Sequence, residues 1–96
     1  MEDLVPTEFR LSQNYPDPFR ERTTIKYCLP KKTEVKLELF DSAKRKVKTL
    51  VDEIKEEGTY KVELDGKDLD EGSYYCIMQA GSFTDTKKMI LIRKKQ

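Results

Sequence analysis

Carboxylates are the most plentiful groups here that could do chemistry, and they cluster: Asp52-Glu53, Glu56-Glu57, and the trio Asp68, Asp70 and Glu71. Two carboxyls facing each other across a cleft can hydrolyse a glycoside, one giving a proton while the other acts as base or nucleophile. These acids fall in polar stretches of a 96-residue chain, too small to wall a deep cleft, so they read as solvated turns. Asp65-Gly66-Lys67-Asp68 followed by Asp70-Glu71 resembles the opening of a calcium loop. It lacks the alternating oxygen ligands and late glutamate that an EF-hand requires. Histidine is absent, which removes Ser-His and Cys-His nucleophile pairs together with the commonest nitrogen ligand. Gly66, Gly72 and Gly81 do not space themselves as a phosphate loop. The expectation is no enzyme, no catalytic residue and no cofactor.

Cys28 and Cys76 are the only thiols. A bridge closing so long a loop adds up to about 4 kcal/mol on the chain-entropy account. Strand alternation puts Ile25, Tyr27 and Leu29 on an inner face and Cys28 outside, whereas Tyr74, Cys76 and Met78 share an inner face. Sulfurs pointing opposite ways meet only through a bulge or a twist. A disulfide permitted by an oxidising compartment and two separate thiols both stay open as readings. Two thiols alone do not make a structural zinc site.

Basic residues cluster at Lys44-Arg45-Lys46-Lys48 and Arg93-Lys94-Lys95, with no aromatic between them to stack on bases. Lys and Arg total 19 against 18 for Asp and Glu, a net charge of +1, which gives no global field to draw nucleic acid or a membrane surface. These clusters read as solvated surface and tail. No stretch approaches membrane-spanning length, and residues 1–20 hold no apolar signal core, so membrane insertion is not expected and any export is directed by a segment outside this sequence.

The elements that must carry these side chains are mostly strands. Phe9 and Leu11 begin a short one; Thr23 to Leu29 alternates and stops at Pro30; Val35, Leu37 and Leu39 line one face of Glu34 to Phe40. Asp41-Ser42-Ala43-Lys44 reads as a turn. Val47, Leu50, Val51 and Ile54 have helical spacing over 47–57, with a strand at Val47 to Leu50 plus a charged loop as the rival. Tyr60, Val62 and Leu64 turn inward, Asp65-Gly66 signals a turn, and Ser73 to Ala80 and Phe83 to Ile92 make a hairpin around Gly81. Tyr74, two residues before Cys76, fits either a tyrosine corner or a core tyrosine that merely packs. Charged residues are 39% and apolar ones 36%, so the core is thin. The expected fold class is all-β, an immunoglobulin-like sandwich of about seven antiparallel strands.

Gln13-Asn14-Tyr15-Pro16-Asp17-Pro18-Phe19 is the strongest motif: two prolines stiffen a segment bracketed by two aromatic rings that can bury on a core. Read with Gly72-Ser73-Tyr74-Tyr75 and Lys87-Lys88-Met89-Ile90-Leu91-Ile92, it resembles the C-terminal sorting domain of type IX secretion cargo from Bacteroidetes and related bacteria. The resemblance runs from about Phe9 to Arg93, with residues 1–8 left as a linker remnant and 94–96 as a basic tail. It implies that 47–57 is a strand, and that Asn14, Pro16, Pro18, Asp65, Gly66, Gly72, Tyr74, Lys88, Met89 and Leu91 serve recognition. It implies further an outer-membrane translocon and a sortase-like surface protease as partners, cleavage before about Phe9, an upstream cargo domain, and passage through the periplasm to the cell surface or medium. A terminal strand with exposed backbone would suit β-augmentation. Asp17 and Arg20-Glu21-Arg22 depart from the family by placing charge where it tends to be neutral. The immunoglobulin-like domain of flagellar hook-capping proteins has similar patterns, so a structural spacer is the alternative; an accessory binding module is a third, with Tyr75 its one clear outward aromatic.

Overall fold

Alternation with a period of two decides which side chains turn inward, and the computed structural model shows the outcome for residues 6–93. Most of the linker expected at 1–8, and the tail at 94–96, lie outside the described residues. Seven strands follow in order: β1 (Arg10–Leu11), β2 (Arg22–Leu29), β3 (Thr33–Asp41), β4 (Lys46–Lys55), β5 (Gly58–Asp65), β6 (Gly72–Ala80) and β7 (Phe83–Leu91). They form a three-stranded sheet, β1-β2-β5, and a four-stranded sheet, β4-β3-β6-β7, with every strand pair antiparallel. The chain crosses between sheets at β2–β3, β4–β5 and β5–β6, which is the connectivity of an immunoglobulin-like sandwich.

Ile25, Tyr27, Leu29 and Leu64 from one sheet face Val35, Leu37, Leu39, Tyr74, Cys76, Met78, Met89 and Leu91 from the other, all nearly free of solvent. Each such aliphatic side chain stabilises the fold by about 1.5–3 kcal/mol over an exposed one. Cys28 is only half-buried on the outer side, its Sγ 3.6 Å from Thr59 Oγ1, while Cys76 sits in the core, and both thiols are free. Burial pushes the Cys76 thiol up to about 12, so it behaves as a small apolar side chain.

Residues 47–57 are neither a helix nor a strand that stops at Leu50: β4 runs unbroken to Lys55. Two register shifts against β3, between Leu37 and Glu38 and between Leu39 and Phe40, explain the misleading pattern. Each inserts one extra residue and resets the alternation. Consecutive residues Leu50 and Val51 therefore both reach the core, imitating a helical face, while Val47 and Ile54 stay exposed.

The Asp41 turn forms as expected, its carboxylate accepting the N–H groups of Ala43 and Arg45 at 2.9 Å each. Gly81 supplies the left-handed φ of 61° for the β6–β7 hairpin. Asp65-Gly66 is different. It opens a crossing between sheets, and space around Gly66 is tight, since a Cβ there would lie 3.0 Å from Phe19 Cε2 and 3.3 Å from Leu91 Cδ2.

Candidate recognition site

Pro16 and Pro18 have no N–H to satisfy, so the segment between Tyr15 and Phe19 can leave one sheet for the other at little cost in hydrogen bonds. Tyr15 bridges Thr24 of β2 antiparallel, and Phe19 bridges Leu91 of β7 in parallel. Both X-Pro peptide bonds are cis. Beneath the crossing lies a buried polar knot. The Asn14 amide donates to Pro16 O at 3.1 Å and to Thr23 Oγ1 at 2.9 Å, Thr23 Oγ1 donates to Pro16 O at 2.8 Å, and Gln13 Nε2 donates to Asn14 Oδ1 at 2.7 Å. Asn14 and Thr23 are the buried polar residues of the described chain, and the knot satisfies both.

The segment then lies along the outer margin of β7. Gln13 Nε2 donates to Lys88 O at 2.7 Å, Ile90 N donates to Asp17 Oδ1 at 3.1 Å, Phe19 N to Ile90 O and Ile92 N to Phe19 O, both at 2.9 Å. The terminal strand therefore does not expose its backbone from Lys88 to Ile92, contrary to the expectation above. The Asp17 carboxylate thus spends its charge on a β7 amide. Phe19 is buried, but Tyr15 is 80% exposed and makes no core contact of the kind expected for it.

Arg93 is the residue that sequence reasoning missed. Its guanidinium donates to the carbonyls of Arg20 (3.1 Å), Gly66 (2.8 Å) and Leu69, and its N–H donates to Glu71 Oε1 at 3.1 Å. It ties the 20–21 segment and the 66–71 crossing to the end of β7, where a solvated tail was expected. Its place in a basic run disguised it; five donors in a fixed fork are the only signal that set it apart from the lysines beside it.

Tyr74 settles on the corner reading: its hydroxyl donates to Asp70 O at 2.5 Å while the ring packs inside. Burial, with the Asp70 and Asp41 carboxylates nearby, raises its pKa. Of the motif residues, Asn14, Gly66, Tyr74, Met89 and Leu91 are buried, whereas Pro16, Pro18, Asp65, Gly72 and Lys88 are exposed. Asp65 caps Lys67 N at 2.9 Å, and Gly72 takes a φ of 146° that favours glycine. On the outer face of the four-stranded sheet, Phe40, Tyr75, Ile77 and Thr86 floor a shallow depression of about 340 Å³, so Tyr75 is half-buried.

The sequence model of the secretion system C-terminal sorting domain matches residues 13–93, from the Gln13 that reaches Lys88 to the Arg93 that clamps Gly66. This chain belongs to that family. Such sorting domains of type IX secretion occur on proteins exported to the cell surface or the medium, as parts of larger precursors. No curated protein matches the chain.

Proposed function

We propose that this sorting domain is a non-enzymatic export address, read as a folded surface by the outer-membrane translocon while an upstream cargo follows it. The match across residues 13–93 carries this reading, because it spans the same residues that the hydrogen bonds draw onto one margin of the sandwich. The buried motif residues Asn14, Gly66, Tyr74, Met89 and Leu91 build that surface. The exposed Pro16, Pro18, Asp65, Gly72 and Lys88 are what a receptor touches. A sortase-like surface protease acts before about Phe9, upstream of β1.

The test is a reporter carrying a signal peptide and this chain, expressed in bacteria with and without the type IX machinery. Surface delivery only where the machinery is present supports the reading, and equal delivery in both strains overturns it. Lys88→Glu should reduce delivery with the melting temperature unchanged, since its side chain is exposed; deletion from Phe83 onward should abolish it.

A further inference from the structure

The sandwich has four lateral margins, and three are closed or distorted. Residues 13–19 cover β7 from Lys88 to Ile92 and the Phe9 ring stacks on Phe83 at its other end, β1 and Tyr15 flank β2, and β4 carries two register shifts that bend its edge away from regular pairing. The fourth is bare. β5 pairs residue for residue with β2 from Gly58 to Asp65 without a shift, and no strand lies on its other side among the described residues. Its alternate N–H and C=O groups point outward in a regular row, the arrangement that accepts another strand.

Charge on β5 indicates which strand. On the outer face Lys61 stands directly opposite Lys26 of β2, a like-charge pair in which neither lysine forms an ion pair among the described residues. Neither Lys61 nor Glu63 has an ion-pair partner among the described residues. Tyr60 and Val62, on the inner face, are only partly buried.

We propose that β5 pairs edge to edge with β5 of a second copy of this chain, antiparallel about a two-fold axis at Val62. That register sets Lys61 opposite the second copy's Glu63, and Glu63 opposite its Lys61. On the inner face it sets Tyr60 opposite Leu64 and Val62 opposite Val62. Slipping by one pleat repeat in either direction places Lys61 against Lys61 or Glu63 against Glu63, so the charges select one register. The two three-stranded sheets become one sheet of six. An eight-residue edge is smaller than a standard interface, so the association is weak and concentration-dependent. It stands independently of the export reading, because it concerns the purified chain alone.

Sedimentation of the full chain, under reducing conditions that keep Cys28 from cross-linking, tests it from about 10 μM to about 1 mM, the range suited to a small interface. The wild type should pass from monomer to dimer. Lys61→Glu and Glu63→Lys should each weaken association about tenfold or more, since each turns two attractions into two repulsions. Mixing those two variants should restore dimers, because each then meets its complement. Amide exchange should slow on the outward N–H groups of β5 as concentration rises. A wild type that stays monomeric throughout overturns the proposal, as do single variants that dimerise like the wild type.

Discussion

Along β7, the outward backbone between Lys88 and Ile92 is met by Gln13, Asp17 and Phe19, residues more than seventy positions earlier. Along β5, eight regularly paired residues have β2 on one side and no strand on the other. Both are outer strands of the same thin sandwich with similar mixtures of charged and apolar side chains. The difference lies in what the chain supplies around them. The Lys88–Ile92 part of the β7 margin is closed by a proline crossing, a buried amide knot and an arginine clamp, whereas the β5 margin has only Lys61 and Glu63 to direct its pairing. One margin is met by an earlier segment of the same chain, and the other has no strand beside it among the described residues.

The sharpest way to break this contrast is Phe19→Ala. Phe19 is 1% exposed and packs beside Gly66 and Leu91, so its loss should cost about 3–5 kcal/mol, measured by urea denaturation. A cost under about 1 kcal/mol would mean that the segment rests only loosely on β7.

A second experiment compares the interiors behind the two margins. Burial, then the charges of Tyr60 and Glu53, pushes Tyr27 of β2, beside β5, from 10.0 up to about 12, and burial alone pushes Cys76, two strands in on the β7 side, from 9.0 to about 12. A raised pKa means that the folded chain keeps a proton which the unfolded chain releases. The stabilisation is therefore intact below pH 9 and declines as pH rises through 9–12, by about 1.4 kcal/mol per pH unit for each titrating group. Cys76→Ala should move the onset of alkaline loss from near pH 9 to near pH 10, where Tyr27 begins to act. An unchanged onset would show that Cys76 is not the first group to ionise.

The smallest expected effect is the most local. Arg93→Ala should cost about 1–3 kcal/mol by stranding carbonyls of the 66–71 crossing. Amide exchange should rise at Ile90 and Ile92 while β5 keeps its protection from β2. Equal loosening of both sheets would show that the clamp serves the whole sandwich.

Most of the fold was legible because period-two alternation survives in β2, β3, β5 and β6, where each residue has one fixed face. It failed in β4 because bulges are set by pairing with β3, and one strand's own pattern does not contain its partner. Asp65-Gly66 looked like a positive-φ turn. Gly66 is instead a place where a Cβ would press tightly on the buried side chains of Phe19 and Leu91, a fact that exists only in three dimensions. The motif spacings told which residues belong together, but neither that half of them would be buried nor that Arg93 would hold their backbone. Tyr15 and Phe19 both read as rings able to bury on a core; the crossing between sheets turns the two to different surroundings.

The proline segment is made early, yet its bonding partners on β7 are Lys88, Ile90 and Ile92. During synthesis Asn14 can find Thr23 within a few residues, but the backbone partners of Phe19, Ile90 and Ile92, emerge only with the end of β7. A product broken off inside β7 would therefore have neither a sealed flank nor a filled core. The sandwich is thus complete only when its last strand is, and the first stretch of the chain waits on the final one to be seated.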